Sequence, residues 1–269
     1  MSKLVAVVTG ASQGIGRATA VRLAKDFSGV ALAARNGEAL EEVVAEVKSS
    51  GADPLAFALD LSVRESAETL IKGTLDRFGR IDALLNIAGA VPQIDLFEMT
   101  DEQWQGGLEL KLHGARRLTI RAWEALKASK GSVVLISGSA ALDPKPGFAA
   151  VATINAAIIA LAKAFAEQGV KDGIQVNSVV PGPVMTDRRK SFMAWLRFPG
   201  SFEAIGTKTQ PGRRPSGSMG CEAWPMKISS FSLTAPASTK GQTETTRSLL
   251  SQLKENNKFS WTQRKQIGL

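Results

Sequence analysis

The sequence predicts a doubly wound parallel α/β sheet in three layers, α/β/α. Three observations point to it. Short apolar, β-branched runs alternate with helical patterns from Leu4 to about residue 187, which argues for parallel strands covered by helices on both faces. The first run breaks into glycine-rich chain that opens a helix. Each chemically distinctive motif falls just after a strand or on a helix leaving one, and in this architecture ligands lie beyond the carboxyl ends of the strands.

The elements follow in order. Leu4–Val8 is a continuous apolar run of strand length, and a helix runs from the glycines to about Lys25. Val30–Ala34 is the second strand, and Glu38–Ser49 a helix with Leu40, Val43, Val44 and Val47 on one side. Pro54–Leu59 and Val63–Phe78 are the third strand and helix, and Ile81–Ile87 the fourth strand. Asp101–Lys127 reads as one long helix capped by Thr100 or Asp101. Ser132–Ser137 is the fifth strand. Phe148–Gln168 is a helix expected to stop at Gly169. Ile174–Val180 is the sixth strand, ended by Pro181-Gly182-Pro183.

The 269 residues are 44% hydrophobic and 22% charged, ordinary for a globular protein. No run approaches the roughly 20 apolar residues of a membrane span, and no leader cleavage pattern follows the first apolar run, so neither a span nor a secretory leader is expected. A single cysteine, Cys221, excludes an internal disulfide framework and suits a reducing cytoplasm. A single histidine, His113, excludes any site needing two; on its helix it reads as a surface residue. The chain has no tyrosine.

The net charge of +8 is unevenly spread. Residues 1–187 carry 19 Lys+Arg against 21 Asp+Glu, whereas residues 188–269 carry 14 against 4. The first segment is therefore expected to be the folded domain. The second, with 19 Ser+Thr and no strand-like run, is expected to be poorly ordered and not to complete the sheet. Its Arg213-Arg214 and Lys-rich end lack regular aromatic interleaving, so no specific nucleic-acid partner is expected. Arg116, Arg117 and Arg121 read as a solvated helix face.

Thr9-Gly10-Ala11-Ser12-Gln13-Gly14-Ile15-Gly16 lies between a strand and a helix. Gly10 permits a tight turn, Gly14 lets backbone amides approach a diphosphate, and Gly16 allows close helix–sheet contact. The helix N-terminus then presents free N–H groups to the anion.

This segment resembles the TGxxxGxG fingerprint of the short-chain dehydrogenase/reductase family. Asp60-Leu61 is similar to the family's acidic segment near adenine. Asn86-Ile87-Ala88-Gly89 is similar to its NNAG segment, and Asn177 to Gly182 to its NxxxPG segment, after which Val184 and Thr186 would meet the nicotinamide. The resemblance covers residues 3–187. It implies a Rossmann-like fold, a nicotinamide cofactor held by Gly10, Ser12, Gln13, Gly14, Ile15, Gly16, Arg35, Asp60, Leu61, Asn86, Ala88, Gly89, Pro181, Val184 and Thr186, a carbonyl or alcohol substrate, and a homo-oligomer. At the end of the second strand stands Ala33-Ala34-Arg35-Asn36, with no acid for a ribose 2′-hydroxyl. Arg35 can pair with a 2′-phosphate, so NADP(H) is expected over NAD(H).

The family's catalytic positions are all replaced. Aligning Ile136-Ser137-Gly138-Ser139 on the family's ISS segment puts Gly138 at the serine, Val151 at the tyrosine and Asn155 at the lysine; Lys111 stands at the asparagine. Lys111 lies in an apolar stripe with Trp104, Leu108, Ala115, Leu118 and Ala122, and Asn155 stands alone among apolar neighbours. The two amount to an exchange across one site. Desolvation pulls a lysine below its usual pKa of about 10.4, which would suit Lys111 to acid–base work, with Ser137 or Ser139 orienting a carbonyl. Three readings stand: an NADP(H)-dependent oxidoreductase, a cofactor-binding protein without turnover, and an inactive product whose tail is foreign to the domain.

Overall fold

The computed structural model describes residues 3–186. The expectations for the segment beyond residue 187, Cys221 included, lie outside the described residues. Six parallel strands stand in the order β3-β2-β1-β4-β5-β6. They are β1 (Val5–Thr9), β2 (Gly29–Ala34), β3 (Asp53–Ala58), β4 (Ala83–Asn86), β5 (Ser132–Ile136) and β6 (Gln175–Val179). Each differs from the sequence reading by a residue or two at its ends. β1, β2 and β4 are buried throughout, as apolar runs in a sheet covered on both faces must be. β3 is half exposed and carries Pro54; its place at the sheet's edge is where a proline is tolerated.

The helices are α1 (Gly14–Leu23), α2 (Gly37–Ser49), α3 (Ser66–Phe78), α4 (Asp101–Gly107), α5 (Gly114–Ser129) and α6 (Ala149–Asp172). Apolar side chains of α3, α5 and α6 (Leu70, Leu118, Leu126, Ile158) close one core with Val7, Leu84, Val133 and Leu135 of the sheet. Asn36 caps α2 through Ala39 N–H at 3.1 Å. Thr100 and Gln103 form a reciprocal capping box at α4.

Two helix readings are corrected. The long helix expected over Asp101–Lys127 is interrupted by a π-helical segment, Leu108–His113, between α4 and α5. The wider turn follows Gly106-Gly107 and inserts a residue into the pattern. The helix expected to stop at Gly169 runs on to Asp172, with Gly173 in the left-handed conformation as its cap. A Cβ on Gly169 would lie 2.4 Å from the Ile174 carbonyl oxygen, so this glycine serves the close return of the chain into β6. The Asp172 carboxylate accepts from Trp123 Nε1 at 2.9 Å and Gln168 Nε2 at 2.8 Å and pairs with Lys127. Those bonds hold its pKa well below the ordinary carboxylate range and fasten the extra turn to α5.

The segment Pro146–Asp172 is, by length and composition, apolar enough to cross a membrane, with a mean hydropathy of 1.9 over its 18 most apolar consecutive residues. Ile154, Ile158 and Ala162 are among the 33% of that stretch that is buried in the core.

Candidate active site

The strand order reverses between β1 and β4, and the glycine-rich loop leaves β1 at that point. Gly10 and Gly14 have φ of 65° and 55°, a region that side-chain-bearing residues rarely adopt. A Cβ on Gly16 would lie 2.0 Å from the Gly10 carbonyl oxygen, so helix and turn meet as closely as backbone permits. Gln13 precedes α1 without capping it through its side chain. The first-turn N–H groups and the positive end of the helix dipole are thus left for an anion. The residues present suit the diphosphate of a dinucleotide.

Thr9 is the pin of this end of the sheet. Its buried hydroxyl donates to the Leu85 carbonyl at 3.2 Å and accepts from the N–H groups of Ile87 and Ala88 at 2.9 and 3.0 Å. It thereby fixes the segment Asn86–Gly89 against the glycine turn. The Asn86 side chain is buried and donates to Thr119 Oγ1 at 3.2 Å, while its Oδ1 has no hydrogen-bond partner among the described residues. Leu61 is a core residue.

Arg35 is exposed beyond β2. Just beyond the end of the neighbouring strand β3, burial pushes the Asp60 carboxyl up, but hydrogen bonds from the Ser62 backbone and hydroxyl, with the Arg35 charge, outweigh it and hold the group below its ordinary value. The loop after β6 bends back over the glycine turn, with Thr186 N–H donating to the Val184 carbonyl at 2.9 Å. The Thr186 methyl lies 3.1 Å from where a Gly14 Cβ would be. The Pro181 carbonyl accepts from Ser139 N–H at 2.9 Å, which ties this loop to the one after β5. Gly10, Gly14, Gly16, Ala88, Gly89, Pro181, Val184 and Thr186 therefore gather at the carboxyl end of the sheet.

Lys111 and Asn155 are in contact. Lys111, half-buried on the π segment, donates from Nζ to Asn155 Oδ1 at 2.5 Å and to the Ser137 carbonyl at 3.3 Å. The lysine stem runs over Gly89: a Cβ there would lie 2.9 Å from Lys111 Cδ. Asn155 is 3% exposed. Ser137 is equally buried, and its hydroxyl donates to the Asn155 carbonyl at 2.7 Å. That hydroxyl holds α6 against β5; Ser139 is the exposed one of the pair. Val151, at the tyrosine position, lies against an apolar cluster of Val91, Ala150 and Ile154.

Two sequence readings do not hold around this site. His113 is only partly exposed, with its Nδ1 buried and without a hydrogen-bond partner among the described residues. Arg117 is not a solvated residue of the helix face. Its guanidinium, 13% exposed, pairs with Glu109 at 2.6 Å and donates to the Ser62 carbonyl at 3.3 Å. The Arg117 hydrogen bond holds Glu109 below its ordinary pKa. Glu109 and Arg117 are eight residues apart, and the inserted π turn brings them together, so sequence spacing carried no signal for the pair. Among the described residues no group of three His, Cys, Asp or Glu could hold a metal ion.

Residues 4–197 match the short chain dehydrogenase family. A 3-oxoacyl-(acyl-carrier-protein) reductase of Synechocystis sp. is 35% identical over 192 residues, 71% of this chain and 78% of its own length. A crystal structure of a metagenomic short-chain oxidoreductase in complex with NADP is 32% identical, with a TM-score of 0.65, covering 68% of this chain and 83% of its own. That of an NAD+-bound xylitol dehydrogenase is 28% identical, with a TM-score of 0.68, covering 74% and 78%.

Proposed function

The chain belongs to the short-chain dehydrogenase/reductase family, whose chemistry is NAD(P)-dependent oxidoreduction, and on that premise we propose that it interconverts a carbonyl and an alcohol with NADP(H), Lys111 serving as the acid–base group. The carrying observation is the Lys111–Asn155 contact of 2.5 Å at the carboxyl end of the sheet. The glycine turn and α1 N-terminus would hold the diphosphate, Arg35 the 2′-phosphate, and Val184 and Thr186 the nicotinamide end. Ser12, Gln13, Ile15, Asp60, Leu61, Asn86 and Ala88 complete that shell. When bound, the nicotinamide supplies or accepts the hydride. In reduction, Lys111 Nζ gives a proton to the substrate carbonyl oxygen and regains one from water; in oxidation it takes the hydroxyl proton. Asn155 Oδ1 fixes the direction of Nζ, and the exposed Ser139 would orient the substrate oxygen. A carbonyl/alcohol substrate is supported by the likeness to a 3-oxoacyl-(acyl-carrier-protein) reductase and a xylitol dehydrogenase.

The NADP(H) preference rests on Arg35. A charge-assisted phosphate contact contributes about 1.5–3 kcal/mol. Arg35→Ala is expected to weaken NADPH binding by about tenfold or more while NADH binding changes little. Fluorescence titration of both cofactors checks this; equal affinities in the parent would overturn the preference.

One observation favours a second reading, a cofactor-binding subunit without turnover: Val151 offers no hydroxyl where the family places its proton donor. A homo-oligomer and a reducing cytoplasm complete the proposal. The first rests on the family resemblance, the second on the single cysteine.

A further inference from the structure

We propose that Gly138 is a positioning residue: its missing side chain makes the room in which Asn155 holds the Lys111 ammonium. Gly138 has φ of 174° and ψ of 155°, an extended backbone open to any residue, so its conformation does not call for glycine. Space does. A Cβ on Gly138 would lie 2.7 Å from Asn155 Nδ2, closer than non-bonded atoms approach. Asn155 has nowhere easy to retreat. It is 3% exposed, and its backbone carbonyl is held by the Ser137 hydroxyl at 2.7 Å. Rotating its amide away from a Cβ also turns Oδ1 away from Lys111 Nζ, now at 2.5 Å.

The glycine and the asparagine therefore form one device: a side chain at 138 and a lysine-holding asparagine at 155 exclude each other. Gly89 plays the matching part under the lysine stem. The replacements at 111, 138 and 155 are thus three parts of one arrangement. The consequence for turnover rests on the reading of Lys111 as the acid–base group; the positioning itself does not.

The test is made on the 15N-labelled full chain, with the Lys111 ammonium followed by proton–nitrogen correlation spectroscopy and assigned by its loss in Lys111→Met. No substrate is needed, so failure of the proposed activity and failure of this inference are separable. The parent is expected to show a Lys111 ammonium slowed in exchange by its hydrogen bonds. Gly138→Ala and Asn155→Ala are each expected to speed that exchange by about tenfold, the weight of one charged hydrogen bond. The double variant is expected to be no worse than Asn155→Ala, because the clash has gone. Near-ultraviolet circular dichroism reports folding in each case. If Gly138→Ala fails to fold while the double variant folds, the clash with Asn155 is shown directly. Four results overturn the inference: an unprotected parent ammonium, an unchanged resonance in Gly138→Ala, losses that add in the double variant, or a double variant that does not fold. Where an active substrate is in hand, Gly138→Ala is expected to lower kcat and to shift the pH profile as Asn155→Ala does, a change that a merely structural glycine would not produce.

Discussion

Lys111→Met is expected to lower carbonyl reduction by about 10²–10⁴-fold, the usual effect of removing a positioned proton donor. Methionine keeps the unbranched stem that lies over Gly89 and removes only the charged head, so cofactor affinity and fold are expected to survive. In steady-state kinetics the loss should appear in kcat, with the NADPH dissociation constant within about twofold of the parent. Full activity in the variant would show that the contact with Asn155 is structural and that the proton comes from elsewhere. The pH profile of the parent adds a second readout. Its limb should disappear in the variant if Lys111 is the group that titrates.

Thr9→Val is expected to cost about 1–3 kcal/mol of folding free energy, because the lost hydroxyl leaves Ala88 N–H without its acceptor and burying an unmet polar group costs about that much. Valine matches threonine in shape but neither donates to the Leu85 carbonyl nor accepts from Ala88 N–H; Ile87 N–H keeps its second acceptor, the Leu85 carbonyl at 3.1 Å. Loosening Asn86–Gly89 also removes the floor under the Lys111 stem, so cofactor binding should weaken along with stability. Urea unfolding monitored by tryptophan fluorescence, with cofactor titration beside it, checks both. A change within about 0.5 kcal/mol, the range of an ordinary surface substitution, would show that the hydroxyl does not pin the two loops.

The strands were legible because a parallel sheet buried on both faces turns each strand into an apolar run, and β1, β2 and β4 are such runs. Gly169 misled for a definite reason. A glycine required by the close approach of the Ile174 carbonyl has the same letter as a glycine that ends a helix. The π segment was invisible in a heptad-like reading, because one inserted residue shifts the phase and brings partners eight positions apart together; hence Arg117 and His113 were placed in solvent. Lys111 stood out within an apolar stripe and Asn155 as a lone polar residue among apolar neighbours, and it was the alignment on the family's motifs that set them opposite each other. The role of Gly138 was not legible. It depends on the reach of a side chain 17 residues further on, which only the packing of α6 against β5 reveals.

The proposed reaction moves a hydride between NADP(H) and a carbonyl/alcohol pair at a site without a tyrosine. The most direct measurement is a single-turnover reaction of the purified full chain with NADPH deuterated at nicotinamide C4 and a panel of ketones, with the products read by mass spectrometry. The expected product is an alcohol carrying one deuterium on the former carbonyl carbon, formed by the parent and lost in Lys111→Met. Tight NADPH binding with no deuterated alcohol from any ketone would contradict it and leave a cofactor-binding protein without turnover.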